Sequence, residues 1–380
     1  MIGAARLARW EGGLRPLLTR LPPSWAVRLY SRGRRNFLST LAERPPRRAI
    51  VPPAELAIEL WGLRFRSPLM NAAGMFKNGD GYRLVAAQGA GGWLAGTTTS
   101  RPRIGNRRAG IATPFAPYPL SHAASNWLGL PNPGHAVVAQ RFASLEKVAG
   151  CPAGASLTAD PDPSLAAEEK LAGLAQGLRL YEEAGADFLE INESCPNTEA
   201  GAEDFGHLEA RLRYVAAEFL ARRRRSLPVV VKFSNDTEIA QVGKLVGLLA
   251  ELGYDGINFG NTSTAYRAIE PAIDAGDRPL YDYFTGTFGG GVSGRPLRRL
   301  SFELCRAALA EAGKLRPARE FHVVRTGGIE SAADLAASAE IGVRLNQWYS
   351  GYFERFSEAG HQVYARIHAN LTNDVRVLRS

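Results

Sequence analysis

Eight short apolar runs, each ending in polar or glycine residues and each followed by a helical pattern, dominate the sequence after residue 67. The runs are Pro68–Gly74, Trp93–Thr98, Ala153–Leu157, Asp187–Asn192, Pro228–Phe233, Gly256–Asn261, Phe321–Thr326 and Val343–Tyr349. The clearest helical patterns are Leu165–Ala184, His207–Arg225, Glu238–Leu252 and Leu300–Ala312. Strands that alternate with helices form parallel sheets, and eight such units in about 300 residues predict an α/β fold, a (β/α)8 TIM barrel with insertions. A doubly wound open sheet is the alternative, but no GxGxxG motif follows the first run to favour it.

A basic N-terminal segment precedes the predicted barrel. Residues 1–42 contain eight arginines and one acid, Glu11, so they carry +7 of the formal net charge of +9. The basicity therefore belongs to one end of the chain, which argues against a nucleic-acid-binding fold. We predict a helical extension over residues 1–43, a linker over 44–57 and a barrel domain over 58–380.

The extension has apolar residues at helical spacing on both sides of Pro22-Pro23. They are Leu7, Trp10, Leu14, Leu17 and Leu18 in the first piece, and Trp25, Leu29, Phe37 and Leu41 in the second. A basic amphipathic helix pair is typical of a peripheral membrane anchor, expected here at the cytoplasmic side. Two alternatives remain open, which are a helical cap on a soluble cytoplasmic protein and a cleavable organelle presequence. No stretch approaches about 18 uncharged apolar residues, so we expect no transmembrane helix.

The fourth run changes from apolar to polar within a few residues. In LEINESCPN an apolar strand leads into Asn192, Ser194, Cys195 and Asn197, and Pro196 stiffens the turn. Such a stretch is either a polar cap on a strand or part of an active site at the carboxyl end of a barrel strand. The cysteines Cys151, Cys195 and Cys305 are widely spaced and form neither a disulfide framework nor a zinc motif, so we expect no metal site.

Other predicted strand ends carry the features of a phosphate and flavin site. Glycine-rich turns follow the seventh and eighth runs, at Thr326-Gly327-Gly328 and Tyr349-Ser350-Gly351, where barrels usually bind phosphate. Lys232 lies inside the fifth run, VVVKF, and a buried lysine requires a partner. Small residues after the first run, Ala72 to Gly74, would let a flat ligand approach the backbone. Together they suggest flavin mononucleotide (FMN), with Lys232 stabilising negative charge on the reduced ring.

Two further segments stand out in the sequence, one by its length and one by its charge. The helix-poor insert Arg101–Pro133 is rich in Pro, Gly and Asn, and an insert of this length is more often functional than idle. Arg222–Arg225 ends a predicted helix, where cations are favoured by the helix dipole, so we interpret this run as structural.

At this point the chain resembles the dihydroorotate dehydrogenases, FMN-dependent (β/α)8 barrels that oxidise (S)-dihydroorotate to orotate in pyrimidine biosynthesis. The resemblance extends over about residues 58–352, with motifs in matching order and spacing. These motifs are NAAGMFKNG, GTTTSRPRIGN, SNWLGLPN, INESCPNT, VVVKF, NFGNTS, GGGVSGRPL, RTGGIES and NQWYSGY.

The resemblance implies roles for individual residues. The positions that bind the pyrimidine correspond to Lys77, Asn126, Leu128, Gly129, Leu130, Asn192, Asn197, Asn261 and Thr262. The FMN positions correspond to Ala73, Gly74, Lys77, Thr97, Asn192, Lys232, Gly294, Gly327, Gly328, Tyr349 and Ser350. Cys195 stands at the position of the general base, which takes the C5 proton while hydride leaves C6 for the flavin. A thiol has a pKa of about 8.5, so this role requires a site that stabilises the thiolate.

The chain mixes features of two classes in this family. Cys195 and the SNWLGLPN loop resemble the soluble class 1 enzymes, whereas the N-terminal extension and the GRPL segment resemble the membrane-bound, quinone-using class 2 enzymes. RRAGIATPFAPYPL replaces an arginine-bearing stretch expected in class 2, and Ser156, Gly260 and Glu193 depart from the usual asparagine, threonine and small or apolar residue. We expect quinone as electron acceptor, with fumarate, a partner iron–sulfur subunit, another substrate or a non-catalytic FMN-binding barrel as alternatives.

Overall fold

The structure, a computed structural model, describes residues 3–43, 45–193 and 205–379, and for residues 43 and 373–379 it describes the backbone alone. In the first third of the chain the elements are α1 (Ala4–Leu18), α2 (Pro23–Glu43), β1 (Ile58–Leu60), β2 (Leu63–Phe65), β3 (Leu69–Asn71), α3 (Tyr82–Ala87), β4 (Trp93–Thr98), β5 (Arg107–Arg108), β6 (Ile111–Ala112), β7 (Phe115–Tyr118) and β8 (Ala123–Asn126). There follow α4 (His135–Ala143), β9 (Ala153–Leu157), α5 (Ala167–Glu183), β10 (Phe188–Asn192), α6 (Phe205–Glu218), β11 (Val229–Phe233), α7 (Ile239–Leu252) and β12 (Gly256–Phe259). The last part comprises α8 (Tyr266–Ile269), α9 (Arg278–Thr287), β13 (Gly291–Gly294), α10 (Arg298–Leu315), β14 (His322–Thr326), α11 (Ala332–Glu340), β15 (Leu345–Trp348), α12 (Ser350–Ala359) and α13 (Val363–Arg379).

Eight of the described strands form one parallel sheet that curls into a barrel. Their order is β3-β15-β14-β12-β11-β10-β9-β4. The ring is joined between its first and last strands by a parallel bridge from Phe76 to Ala95 and by the hydrogen bond from the Gly74 N–H to the Gly96 carbonyl. The predicted TIM barrel is thereby confirmed, and each of the eight predicted runs contains one of these strands.

Successive side chains along a barrel strand point alternately towards the surrounding helices and into the barrel. Along β10, Leu189 and Ile191 face the helices and join the large apolar cluster around the barrel. Phe188 faces inward and packs with Val230, Val324 and Leu345 from other strands and with Phe65 of the β1–β2 hairpin. The lower barrel is therefore a dry apolar layer, as is usual in this fold.

Two residues further along these strands, the barrel interior becomes polar. Glu190, Lys232, Thr326 and Gln347 follow the apolar residues at i+2, and all four are buried. Because side chains at i and i+2 share one face of a strand, this polar layer lies directly above the apolar one. It forms the floor of the cavity described below.

The insert after β4 contains short strands that the sequence analysis did not predict. β7 and β8 pair as a hairpin, and β8 also pairs with β13, in the register Asn126 to Gly291. Helices α8 and α9 lie between β12 and β13 and were also not predicted. Together with residues of α2, these segments form a second apolar core beside the carboxyl end of the barrel.

The predicted helical extension consists of α1 and α2, which pack on the barrel domain. α1 contacts α12, and α2 contacts β7 and α9. The packed face of α1 is made of Ala4, Ala8 and Arg15, whereas Trp10 and Leu14 are about half exposed. Within the described part of the chain, no helix combines the length and the apolar character needed to cross a membrane.

Candidate active site

A cavity opens at the carboxyl ends of the barrel strands, above the polar layer. It encloses about 930 Å³, including the space at its mouth. Seven described segments that follow or end barrel strands contribute to its wall, and β8 and β13 close one side. Residues distant in sequence thus converge on one volume, as the loops of a TIM barrel commonly do at an active site.

Most residues predicted from the sequence line this cavity. They are Ala73, Gly74, Lys77, Thr97, Asn126, Leu128, Leu130, Asn192, Lys232, Asn261, Thr262, Gly294, Gly327, Gly328, Tyr349 and Ser350. Gly129 instead turns the backbone between Leu128 and Leu130 at a φ of +70°, where an added Cβ would meet Asn106 Oδ1 at 2.1 Å. Cys195 and Asn197 lie outside the described residues. The roles of all these residues remain predictions.

A chain of amides and hydroxyls crosses one side of the cavity. Asn192 Nδ2 donates to Thr97 Oγ1 at 3.1 Å, and Asn261 Nδ2 donates to Asn192 Oδ1 at 3.2 Å. Asn235 in turn donates to the Asn261 carbonyl at 2.6 Å. The Thr262 hydroxyl oxygen is buried with no hydrogen-bond partner among the residues that the structure describes. Since buried polar atoms are nearly always paired, this hydroxyl is a candidate contact for a polar ligand.

Gly260 stands where the family usually has a threonine, and the local backbone requires a glycine here. Its φ is +133°, and a Cβ there would lie 1.5 Å from the Thr326 carbonyl oxygen. The backbone at the end of β12 and that at the end of β14 therefore approach too closely for any side chain. A threonine at this position would not fit, and Asn261 is oriented by the turn that the glycine makes possible.

Two glycine-rich turns meet at the other side of the cavity. Gly327 and Gly328 follow β14, and Ser350 begins α12 directly after β15. The Ser350 hydroxyl is 2.8 Å from the Ser293 hydroxyl on β13. The first amides of an α-helix have no acceptor within the helix and lie at the positive end of its dipole, so this corner suits an anion such as phosphate.

The polar layer beneath the cavity is centred on Glu190, a residue that sequence reasoning treated as part of an apolar run. Its carboxylate accepts hydrogen bonds from Ser156 Oγ at 3.0 Å, Asn258 Nδ2 at 2.8 Å and Gln347 Nε2 at 2.9 Å. Lys232 Nζ lies 3.7 Å from Glu190 Oε1. The signal for Glu190 was present in the sequence, because it shares strand parity with Asn192 and an acid in a buried strand requires partners.

Glu193, the other unexpected acid in this motif, has a structural partner. Arg211 on α6 donates to Glu193 Oε2 from Nε at 3.1 Å and from Nη2 at 2.8 Å. The Glu193 side chain is nearly buried by this contact. The arginine run 222–225 is structural as well, since Arg222 pairs with Glu218 and Arg223 with Asp255.

A second cavity lies between the N-terminal helices and the barrel domain. It encloses about 1330 Å³, including its mouth, and its wall is mainly apolar, with Leu7, Leu29 and Phe37 of the helices opposite Phe115 and Phe353. Tyr349 and Ser350 line both this cavity and the first one. The two volumes are therefore separated by a wall that is one residue thick at this point.

Two cationic side chains are held at the second cavity. Arg34 donates from Nη2 and Nε to Tyr349 Oη, at 2.6 and 3.0 Å, and so reaches the shared wall. Arg15, which is buried, pairs with Glu11 at 2.6 Å and Glu354 at 2.8 Å. Burial raises the pKa of the Glu354 carboxyl, an effect that the Arg15 charge opposes. Sequence reasoning did not assign Arg34 or Arg15 to a site, because nothing local in the sequence shows which helix arginines turn inward.

Comparison with known proteins gives a consistent picture. The sequence profile of the family described as dihydroorotate dehydrogenase matches residues 55–374. The chain is 32% identical over 336 residues to a dihydroorotate dehydrogenase (quinone) of Parvibaculum lavamentivorans, a match that covers 88% of this chain and 87% of the relative. It is 30% identical to a protein of the same description from Chromobacterium violaceum, over 91% of this chain and 94% of the relative. Its fold is similar to that of DHODH from Eimeria tenella in complex with ferulenol, with a TM-score of 0.74, 22% identity and 91% of each chain covered.

Proposed function

The chain belongs to the dihydroorotate dehydrogenase family, and we propose that it oxidises (S)-dihydroorotate to orotate with FMN as cofactor and quinone as electron acceptor. The observation that carries this proposal is the convergence of two lysines, Lys77 and Lys232, three asparagines and two glycine-rich turns on a single cavity at the carboxyl ends of the barrel strands. A planar substrate with a carboxylate, carbonyls and N–H groups needs one cation and several amides to bind it. An anionic cofactor needs the glycine-rich corner.

The residues of the first cavity fit FMN. The corner formed by Gly327, Gly328 and the start of α12 would bind its phosphate. Gly74 has a φ of +97°, a backbone conformation that side chains rarely adopt, so the backbone is bare here and suited to a flat ring system. Lys232 lines the same cavity and would interact with the ring. When bound, FMN would supply the hydride acceptor.

The substrate would occupy the part of the cavity near Lys77. Asn126, Asn192, Asn261 and the hydroxyl of Thr262, which has no partner within the described ranges, would orient the pyrimidine ring. Cys195, three residues beyond the end of β10 at Asn192, would take the C5 proton as general base. A thiolate in this role requires positive charge or hydrogen-bond donors nearby to lower its pKa.

The second cavity supports quinone as the acceptor. Its apolar wall suits a hydrophobic ring and tail, and Arg34 together with Tyr349 offers donors for a carbonyl oxygen at the inner end. This arrangement favours quinone over fumarate, since a small dianion would gain little from the apolar wall. Exposed side chains of α1 and α2 support a membrane surface as the source of quinone, because Trp10, Leu17 and Trp25 are 52%, 64% and 70% exposed among arginines.

An anaerobic reduction of the FMN-loaded protein tests the proposal. Dihydroorotate should bleach the flavin absorbance, and ubiquinone, fumarate and NAD are then offered separately to the reduced protein. We expect rapid reoxidation by ubiquinone alone. A flavin that dihydroorotate never reduces would overturn the assigned substrate, and faster reoxidation by fumarate would overturn the acceptor.

A cysteine variant tests the proton transfer. Cys195→Ala should bind FMN normally but lose flavin reduction by dihydroorotate by at least about 100-fold, the usual size of a general-base contribution. Cys305→Ala is the matched control, because this buried thiol packs in the core with its Sγ 3.7 Å from the Val324 carbonyl oxygen, away from the cavity. Equal reduction rates in both variants would reject Cys195 as the base.

A further inference from the structure

Glu190 lies in the interior of the barrel, one layer below the candidate flavin site. It is on β10 between the inward-facing Phe188 and Asn192, and only 2% of its surface is exposed. β10 pairs with β11 so that Asn192 stands opposite Lys232. The carboxylate therefore belongs to the layer that underlies the cavity and does not belong to the outer helices.

Glu190 has hydrogen-bond donors on both carboxyl oxygens and a cation beside one of them. Ser156 donates to Oε1, and Asn258 and Gln347 donate to Oε2, at 2.8 to 3.0 Å. The Lys232 ammonium is 3.7 Å from Oε1 and donates to Gln347 Oε1 at 3.4 Å. Removing a charge from water is costly unless hydrogen bonds and an opposite charge replace the solvent, and here both are provided.

The network ties this carboxylate to residues that line the cavity. Ser156 Oγ is also 3.0 Å from Thr97 Oγ1, and Thr326 Oγ1 lies 2.9 Å from Asn258 Oδ1 and 3.1 Å from Gln347 Oε1, either of which can accept its hydrogen. Lys232, Thr97, Thr326 and Gln347 all line the first cavity. Glu190 thus contacts several cavity residues without lining the cavity itself.

We propose that Glu190 is the counter-ion of Lys232, which fixes the ammonium group and limits how much positive charge it presents to the bound flavin. This role rests on the proposed FMN site. Reduction adds negative charge to the flavin ring, and a nearby cation stabilises that charge most when no carboxylate offsets it. Glu190 is therefore a positioning residue that keeps the flavin potential lower than Lys232 alone would set it.

The substitution Glu190→Gln tests this role, because it removes the charge and retains the shape. We expect the ratio of affinities for reduced and oxidised FMN to increase at least about tenfold, which corresponds to an upward shift of about 30 mV for a two-electron couple. The FMN-loaded protein is equilibrated with a reference dye under anaerobic conditions, and the midpoint potential is read from the two absorbance changes. Dihydroorotate is not needed, so the measurement does not depend on turnover.

Glu182→Gln is the matched control. Glu182 is also a buried glutamate, but it accepts from the Arg224 N–H at the outer helices and does not contact the barrel interior. The flavin midpoint potential of the Glu182→Gln variant should equal that of the unaltered protein. A Glu190→Gln potential that is unchanged or lower overturns the counter-ion role, since a merely structural loosening would weaken FMN binding without raising the potential.

A second pair of variants keeps the test decisive if Glu190→Gln does not fold. Lys232→Met should lower the potential, because it leaves the carboxylate uncompensated below the flavin. Adding Glu190→Met to it removes the whole pair, a change that buried ion pairs often tolerate, and should raise the potential again. Equal potentials in the single and double variants would overturn the proposal. If the unaltered protein binds no FMN at all, that result would instead refute the proposed function on which this role rests.

Discussion

The replacement Arg34→Met should separate the two half-reactions of the proposed function. Arg34 lines the second cavity and does not belong to the wall of the first, yet it contacts Tyr349 in the wall that they share. Methionine keeps the apolar stem of the side chain and removes the guanidinium. We therefore expect reduction of the flavin by dihydroorotate to change less than about twofold, while reoxidation by quinone becomes slower.

The size of the effect follows from the contacts. Arg34 donates two hydrogen bonds to Tyr349 Oη, at 2.6 and 3.0 Å, and its guanidinium lies 5.7 Å from the Phe115 ring centre. A hydrogen bond to a charged group contributes about 1.5 to 3 kcal/mol. Because Arg34 is only partly buried, the lower end applies, and about 1.4 kcal/mol corresponds to a tenfold change. We predict a loss of about tenfold in kcat/KM for quinone.

The assay uses stopped-flow absorbance of the flavin in each half-reaction, with a short-chain ubiquinone as acceptor. Arg32→Met serves as the control, because Arg32 is an exposed residue on the same helix and lines neither cavity. Ferricyanide, which needs no apolar site, should reoxidise all variants equally. Unchanged quinone kinetics in Arg34→Met, or an equal loss with ferricyanide, would refute the assignment of the second cavity.

Three other predictions concern stability and surfaces. Gly260→Ala should lower the free energy of unfolding by about 3 kcal/mol in urea denaturation, because its Cβ would overlap a carbonyl oxygen at 1.5 Å. Burial lowers the pKa of His135 to about 3 and that of His368 to about 4, so both are neutral when folded, and unfolding takes up protons below about pH 6.5. Their stabilising contribution is complete above that pH and is lost as the pH falls, at about 1.4 kcal/mol per pH unit for each histidine. Urea denaturation at several pH values between 7 and 5 measures this loss. Replacing the exposed Trp10 and Trp25 with serine should reduce sedimentation with anionic vesicles and leave the free energy of unfolding within about 0.5 kcal/mol.

Each of these predictions has a control. Gly253→Ala places its Cβ in open space, at a φ of +79°, and should cost about 1 kcal/mol, the backbone penalty without a clash. His368→Phe should reduce the acid-dependent slope by about 1.4 kcal/mol per pH unit, and an unchanged slope would contradict the neutral buried histidine. Val51→Ser and Leu315→Ser alter exposed apolar residues outside α1 and α2, and they should leave vesicle binding intact. Equal binding by the tryptophan variants would argue against a membrane-facing role for the helices.

The barrel strands could be predicted from the sequence because their signals are local. Each is a short apolar run bounded by polar or glycine residues, and the structure places a strand within every predicted run, shortened by up to four residues. The β11 strand, for example, begins at Val229, one residue after the predicted Pro228, since proline supplies no ladder N–H. Repetition of one unit eight times made the topology predictable as well.

The antiparallel additions could not be predicted in the same way. β8 pairs with β13, and the register that sets Asn126 opposite Gly291 depends on two segments far apart in the chain. Neither segment has a strong strand pattern by itself, so tertiary contacts determine both. The insert was recognisable from its length and its Pro, Gly and Asn content, but its sequence did not reveal which strand β8 pairs with.

The same distinction applies to the candidate site. Lys77, Asn192 and the glycine-rich turns lie at strand ends, where barrel geometry alone brings them together. Arg34 reaches the site from an added helix, and the need for glycine at position 260 arises from a carbonyl on another strand. Both contacts join elements that are far apart in the chain, so the periodicity of the sequence could not predict them.

Tyr349 and Ser350 face both cavities, and this has a thermodynamic consequence. Any ligand that shifts the Tyr349 ring from one side changes the surface offered to a ligand on the other side. Linkage then requires that the two ligands alter each other's dissociation constants by the same factor. An inhibitor bound between the helices should therefore change the affinity for orotate, and orotate should change the affinity for that inhibitor by an equal ratio.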